Sequence, residues 1–228
     1  MFFKNIRYDI KSIKERDPAA RNGFEVFFLY SGFHAVLYYR VAHFFYKIKL
    51  KFIARWISQL GRFMTGVEIH PGAQIGRGLM IDHGMGVVIG ETAIVGDNCT
   101  IYQGVTLGGT GKDTGKRHPT IGNNVMIGSG AKVLGPFTVG DNAKIAAGAV
   151  VLDAVPEGAT AVGVPARMIV AGQRKPASQS KNDLDQIHIP DPVSQELCKL
   201  YMRIEALEKQ LAEKDKNKNN STTESENK

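Results

Sequence analysis

Two short segments of this 228-residue chain contain residue types that can move a proton and bind a charged ligand. In the first, His83 follows Asp82, and an imidazole titrates near neutral pH, which suits proton removal from a hydroxyl. The second is the polar stretch GGTGKDTGKRHP, which contains Arg117 and His118. A planar guanidinium can give two hydrogen bonds to one carboxylate. Each segment also has a non-functional interpretation, because lone histidines in turns are commonly structural and arginines in loops are commonly solvated.

The polar stretch is not a nucleotide-binding P-loop, although it contains GTGKD. Asp113 follows Lys112 where a P-loop has Ser or Thr, and Thr106 stands where its first glycine belongs.

An aliphatic residue recurs every six positions from Ile69 to Val151, usually followed by glycine. Six is not a helical period, and each unit leaves room for only one or two strand residues before a glycine-containing corner turns the chain. A repeat of this kind predicts a solenoid of short parallel strands.

Two irregularities interrupt the repeat, and both lie beside the residues described above. Aliphatic positions 69, 75, 81 and 87 give way to 89, 95, 101 and 107 after a shift of two residues. Between Leu107 and Ile121 there are 14 positions instead of a multiple of six. The excess predicts a polar loop that leaves the coil, and such loops on a rigid solenoid are common places for functional residues.

Residues 1–64 are predicted to form a helical domain, since apolar residues recur at intervals of three and four. Asp17-Pro18 should end the first helix, and Asp17 by itself fits a cap for the next one. The apolar run 26–39 is shorter than the roughly 20 residues that span a bilayer. It predicts a buried helix instead of a membrane span.

The β-solenoid is expected over 65–171, closed by the segment EGATAVGVPARMIV. The polar, proline-containing stretch 172–192 predicts a linker or arm. Aliphatic residues spaced alternately by four and three predict a short amphipathic helix over 193–214, with a heptad seam. The polar stretch 215–228 predicts a disordered tail.

The composition is that of an ordinary globular protein, with 43% hydrophobic and 22% charged residues. A net charge of +7 favours a polyanionic partner, which charge alone does not identify as nucleic acid, a membrane surface or a phosphate-bearing cofactor. Cys99 and Cys198 lie in dissimilar segments, which argues against a disulfide and favours a reducing cytoplasm. The N-terminus has no pattern typical of a signal peptide.

The segments VEIHPGAQIGRGLMIDHGMGVVIGETA, GVTLGGTGKDTGKRHP and AVGVPARMI, with the helical SGFHAVLYYRVAH, resemble the bacterial serine O-acetyltransferases. These belong to the hexapeptide-repeat acyltransferase superfamily. The resemblance implies an α+β fold: an N-terminal helical domain, then a left-handed parallel β-helix, followed here by the C-terminal helix. It also implies homotrimers, which in some members pair into hexamers through the helical domain.

The implied reaction transfers acetyl from acetyl-CoA to the hydroxyl of L-serine, the first step of cysteine biosynthesis. His83 matches the family's general base, which activates the hydroxyl for direct attack on the thioester. Glu68 matches the carboxylate that orients this base, although the family usually has Asp there. One extra methylene changes the reach of that carboxylate.

The resemblance also implies the ligand contacts. Asp17 and Asp82 would bind the ammonium group of serine, and Arg117 and His118 would bind its carboxylate. The residues carried over as acetyl-CoA contacts are Gly109, Thr110, Ser129 and Lys144. Lys132 and Arg167 are further candidates for CoA phosphates, which would use the positive charge without nucleic acid or a membrane. No metal is expected.

Two regulatory partners follow from the same resemblance. Cysteine is a candidate feedback inhibitor at the serine site. Family members that dock into O-acetylserine sulfhydrylase insert a C-terminal Ile, whereas this chain ends Glu226-Asn227-Lys228. We therefore expect a weak complex or none by that route.

Three other functions stay open from the residues. A related O-acetyltransferase acting on a sugar or xenobiotic alcohol would keep His83 but not the serine-specific charges. A metal enzyme of the carbonic-anhydrase type would use His70, His83 and His118 as ligands. A non-catalytic scaffold would assemble through the C-terminal seam.

Overall fold

The structure is a computed structural model that describes residues 2–111, 114–169, 200–208 and 210. Four helices come first in the chain. They are α1 (Phe2–Arg16), α2 (Gly23–Leu29), α3 (Ser31–Lys47) and α4 (Lys51–Thr65). Gly66 caps the end of the last one, and its left-handed φ of 72° turns the chain towards the first strand.

Asp17-Pro18 ends α1 as expected, but the cap predicted for Asp17 is wrong. The cap of α2 is Asn22, whose side chain accepts a hydrogen bond from Glu25 N at 2.9 Å. Asp17 is too far along the chain to cap α2, because that helix begins only at Gly23. Asp17 Oδ1 instead accepts from Ala19 N at 2.8 Å and closes a turn between the helices.

The single buried helix predicted over 26–39 is also wrong. Tyr30 has extended backbone angles, φ −88° and ψ 106°, and separates α2 from α3. Val26 and Phe33 are buried on either side of this break, whereas Phe28 and Leu29 are exposed. In the described part of the chain, no helix is long and apolar enough to cross a membrane.

The strands are two or three residues long. In chain order they are β1 (Glu68–Ile69), β2 (Gln74–Ile75), β3 (Met80–Asp82), β4 (Val88–Ile89), β5 (Ile94–Val95), β6 (Thr100–Tyr102), β7 (Thr106–Gly108), β8 (Thr120–Ile121), β9 (Met126–Ile127), β10 (Lys132–Leu134), β11 (Thr138–Val139), β12 (Lys144–Ile145), β13 (Val150–Val151), β14 (Thr160–Val162) and β15 (Arg167–Ile169).

Three sheets form the sides of the coil, in the orders β1-β4-β7-β10-β13, β2-β5-β8-β11 and β3-β6-β9-β12-β14-β15. Every paired neighbour is parallel except β14 with β15. From β1 to β13, each strand therefore stacks on the strand three places on, which is the pairing of a three-sided parallel β-helix. The last pairs are β12 with β14 and β14 with β15, because the coil ends there. The predicted fold class is confirmed.

The core is a column of the repeated aliphatic residues. Ile69 pairs in register with Ile89, and Ile89 with Leu107. All three are buried, as are Val133 and Val151 further along the same sheet. The six-residue spacing thus places one aliphatic side chain from each strand inside the coil.

Both interruptions of the repeat are loops in the structure. The connection from β3 to β4 is longer than the corresponding corner from β6 to β7 and contains His83. The chain leaves the coil again between β7 and β8, where Arg117 and His118 lie.

The helices pack tightly on the first coil. A Cβ at Gly32 would lie 2.0 Å from Ile81 O, so α3 meets β3 where only glycine fits. The helices and the coil belong to one compact unit, while residues 200–208, which are helical, belong to a second. Stretches 172–192 and 215–228, and the remainder of the helix predicted over 193–214, lie outside the described residues.

Candidate active site

His83 lies in an exposed turn between β3 and β4. Its φ of 58° is positive, as are those of Gly84 and Gly86 at 65° and 74°. A non-glycine residue in this region is uncommon and is retained where surrounding contacts impose it. Here Gly86 N donates to Gly66 O at 2.9 Å, and Gly84 N donates to Asp82 O at 2.7 Å. In this turn, 76% of the side-chain surface of His83 is exposed.

Glu68 begins β1 near this turn, but its contact is with a helix. Glu68 Oε2 lies 3.0 Å from Nη1 of Arg62, and the carboxylate side chain is 24% exposed. No hydrogen bond or ion pair joins Glu68 to His83 among the described residues. The carboxylate that does approach the imidazole is Asp82, with Oδ1 3.8 Å from His83 Nε2.

Asp17 is held by Tyr30, a residue that sequence analysis missed. Tyr30 Oη donates a hydrogen bond to Asp17 Oδ2 at 2.7 Å. Burial raises the pKa of Tyr30, and so do the Asp17 hydrogen bond and the negative charges of Asp17, Glu25 and Asp82. Tyr30 is therefore within electrostatic range of a carboxylate from the helical segment, Asp17, and of one from the coil, Asp82.

Arg117 and His118 fold back from the loop onto the corner between β4 and β5. Both of their backbone N–H groups donate to Thr92 Oγ1, each at 3.1 Å. Arg117 Nη2 also donates to Glu91 Oε2 at 2.6 Å. This hydrogen bond, acting against burial, lowers the pKa of Glu91, whose other oxygen accepts from Tyr46 Oη at 3.2 Å.

The protonation of His118 follows from its contacts. Its Nδ1 accepts a hydrogen bond from Thr92 N at 3.2 Å and lies 2.9 Å from Thr92 Oγ1. The neutral ring therefore carries its hydrogen on Nε2. Burial, and then the charge of Arg117, lower the pKa of His118, whose exposure is 8%. The loop thus offers a guanidinium and a neutral imidazole N–H donor side by side.

The predicted site residues are therefore in two clusters. Asp82 and His83 lie at the corner between β3 and β4, and Asp17 lies on the helical side, hydrogen-bonded to Tyr30. Arg117 and His118 lie at the next corner, between β4 and β5. Within the described residues no hydrogen bond or ion pair joins the clusters, and the strand β4 separates them.

The four residues carried over as acetyl-CoA contacts are also divided. Gly109 lies against the loop, where a Cβ would be 3.0 Å from Arg117 O, and Thr110 follows it. Ser129 lies in the same column of corners as His83. Backbone hydrogen bonds link the successive corners of this column: Gly104 N donates to Met85 O, Gly130 N to Gln103 O, and Gly148 N to Ser129 O. Lys144 begins β12 on another side of the coil.

The metal-enzyme alternative required His70, His83 and His118 to form a ligand set. In the residues that the structure describes, no three His, Cys, Asp or Glu side chains are grouped to hold an ion. His70 instead accepts from Gly72 N through Nδ1 at 3.0 Å.

Four functional candidates escaped the sequence analysis: Tyr30, Tyr46, Glu91 and Thr92. Glu91 and Thr92 could have been predicted from the sequence, because the register pairs Ile89 with Leu107. The loop after Leu107 must then cover the residues that follow Ile89. Tyr30 and Tyr46 carried no such signal, since their positions depend on how the helices dock.

Comparison with known proteins gives two family matches. The family described as "Serine acetyltransferase, N-terminal" matches residues 1–37. The family described as "Bacterial transferase hexapeptide (six repeats)" matches residues 118–153. The first lies within the helical segment and the second within the coil.

Whole-chain relatives give the same result. Serine acetyltransferase of Bacillus pumilus is 53% identical over 212 residues, 93% of this chain and 96% of the relative. A solved serine acetyltransferase in complex with cysteine is 42% identical with a TM-score of 0.76, over 82% of this chain and 71% of that one. The Neisseria gonorrhoeae enzyme in complex with serine is 45% identical with a TM-score of 0.71, over 74% and 69%.

Proposed function

This chain belongs to the serine acetyltransferase family, and from that premise we propose that it transfers acetyl from acetyl-CoA to the hydroxyl of L-serine. The products are O-acetyl-L-serine and CoA, which begin cysteine biosynthesis. The observation that carries the assignment to this corner is His83, exposed in a turn of three positive φ angles beside Asp82. An alcohol is a weak nucleophile near neutral pH, so a positioned base is needed.

In the proposed mechanism, His83 takes the proton of the serine hydroxyl as its oxygen attacks the thioester carbonyl. The tetrahedral intermediate then collapses, the carbon–sulfur bond breaks, and the CoA sulfur takes the proton from the imidazolium. Asp17 and Asp82 bind the ammonium group and hold the hydroxyl near His83. Arg117 and the Nε2–H of His118 bind the carboxylate.

The proposed role of Glu68 is indirect in this structure. Its carboxylate pairs with Arg62 at 3.0 Å, so it can reach His83 only by leaving that partner. If Glu68 orients the base when substrate is bound, Glu68→Gln should lower kcat. Arg62→Gln, which frees the carboxylate, should leave kcat unchanged or raise it.

We propose that the complete site forms between subunits. The ammonium and the carboxylate of serine are attached to the same carbon, whereas the clusters that would bind them lie at different corners of one chain. Extended backbone rises about 3.3 Å per residue, so β4 and its flanking residues hold the corners too far apart for one small amino acid. A neighbouring subunit that brings its Arg117 to the His83 corner supplies the missing half, which favours the trimer.

Acetyl-CoA would then lie along the same interface. Ser129 belongs to the column of corners that begins at His83, and Gly109 and Thr110 belong to the loop that carries Arg117. A groove between two chains would bring these sets together. Lys144 would contact CoA phosphate groups at the far end.

We propose no metal for this reaction. Cytoplasmic location and inhibition by cysteine, the ligand of a solved relative, stay predictions.

The test of the activity is acetyl-CoA consumption with L-serine, with sugar alcohols as competing acceptors. His83→Ala should lower kcat by about 10²–10⁴-fold, the usual contribution of a general base, and leave the oligomer intact. Unchanged turnover by this variant would refute the assignment of the base. Preference for a sugar alcohol over serine would favour the related O-acetyltransferase.

Complementation tests the shared site. His83→Ala and Arg117→Ala should each be nearly inactive as pure proteins. Co-expressed, they form mixed oligomers in which one interface unites an intact His83 with an intact Arg117, so activity should return in part. Mixed oligomers that stay inactive would contradict a site built between subunits.

A further inference from the structure

Tyr30 holds Asp17 through one side-chain hydrogen bond within the helical domain. Its hydroxyl donates to Asp17 Oδ2 at 2.7 Å, while Asp17 Oδ1 accepts from Ala19 N at 2.8 Å. Both oxygens of the carboxylate are therefore engaged. A carboxylate held at both oxygens has one orientation relative to the turn between α1 and α2 and to Tyr30.

The backbone around Tyr30 is fixed by packing on the coil. Gly32, two residues on, is so close to β3 that a Cβ would lie 2.9 Å from Ile81 Cβ. Ser31 Oγ lies 4.0 Å from the Cβ position of Gly84, next to His83. The break between α2 and α3 thus places Tyr30 over the end of β3, where Asp82 stands.

A hydroxyl donor is well suited to this place. Asp17 is a carboxylate, and a hydrogen bond from a neutral hydroxyl orients it without cancelling its charge. The raised pKa of Tyr30 keeps that hydrogen in place at the pH of catalysis. The phenol remains neutral, so it does not compete with a substrate cation for the two carboxylates.

We infer that Tyr30 is a positioning residue of the ammonium subsite: it orients Asp17 towards ligands that carry an α-ammonium group. This inference rests on the serine acetyltransferase function proposed above. It predicts that Tyr30 sets the affinity for serine and for cysteine, which share that group. The affinity for acetyl-CoA, which lacks it, does not depend on Tyr30.

The experiment compares Tyr30→Phe with the wild-type enzyme in steady-state assays and in calorimetric titration with L-serine. Loss of one hydrogen bond to a charged group should raise KM and Kd for serine about tenfold. KM for acetyl-CoA and kcat should stay within twofold. The matched control is Tyr8→Phe. It removes the 3.0 Å hydrogen bond from Oη of Tyr8, in α1, to Asn98 Oδ1. This control should change neither KM nor Kd for serine.

A double-mutant cycle separates positioning from a general loss of packing. If Tyr30 acts through Asp17, Tyr30→Phe should have little further effect in an Asp17→Asn background. Fully additive effects, or an equal rise in KM for acetyl-CoA, would overturn the inference. Unchanged serine affinity in Tyr30→Phe would do the same while leaving the proposed function standing. A wild-type enzyme that neither binds nor acetylates serine would overturn both.

Discussion

Arg16 anchors the end of α1 on the coil, and its replacement gives the sharpest stability prediction. Its Nη1 donates to Asn98 O and Cys99 O, each at 3.0 Å, and to Thr100 Oγ1 at 2.9 Å. Its Nη2 donates to Gly78 O. All four acceptors are uncharged and belong to the first two coils, so one guanidinium joins the helix to both.

Arg16→Met removes these donors while keeping much of the stem. Cys99 O keeps its bond from Met80 N at 2.9 Å. The carbonyls of Gly78 and Asn98 keep no other hydrogen bond among the described residues. An unsatisfied buried acceptor costs about 1–3 kcal/mol, and the site is only partly buried. We therefore expect the free energy of unfolding to fall by roughly 3 kcal/mol for the two carbonyls together.

The assay is urea unfolding at fixed protein concentration, because oligomers add a concentration term. Arg7→Met is the matched control, since Arg7 is an exposed arginine of the same helix, and it should change stability by less than about 0.5 kcal/mol. Asp17 directly follows Arg16, so KM for serine should also rise in Arg16→Met. A loss below about 1 kcal/mol would mean that water satisfies the carbonyls, and the anchor would then be refuted.

The remaining predictions concern packing, pH and substrate binding. Gly32→Ala should lower the melting temperature by several degrees, because its Cβ would meet Ile81 O at 2.0 Å, whereas Gly115→Ala, with nothing within 4 Å, should not. The pKa of His118 is lowered from 6.5, so the unfolded chain binds that proton more tightly. The free energy of unfolding should therefore decrease as the pH is lowered below about 6.5, and urea unfolding at pH 7.5 and 5.5 measures this decrease. The decrease should be smaller in His118→Gln. Arg117→Lys should raise KM for serine about tenfold, because lysine cannot form a bidentate pair; an unchanged KM would contradict the carboxylate role.

The coil could be predicted in detail because its information is local. Each inward aliphatic residue, from Ile69 to Val151, is followed by a corner, and a six-residue period fits no helix. The helices were predicted less well. The break at Tyr30 and the cap at Asn22 carry weaker signals than Asp17-Pro18, and α2 begins at Gly23, several residues after that signal.

The arrangement of the candidate site residues could not be predicted from the sequence. Resemblance indicated His83, Asp17 and Arg117, and the structure places Arg117 at a different corner of the coil from His83. Glu68 shows the limit most clearly. Its partner in the structure is Arg62, a choice that depends on where α4 ends relative to β1 and not on any spacing within the repeat.

The sequence by itself determined the repeat, the two interruptions and the residue types that can bind and activate serine. These features depend on neighbours within one or two coils, and the period of the chain sets those neighbours. Only the tertiary structure decided that Tyr30 holds Asp17, that Thr92 sets the tautomer of His118, and that the two halves of the site lie at different corners. Such contacts join segments far apart in the chain, and their geometry follows from helix docking and coil register.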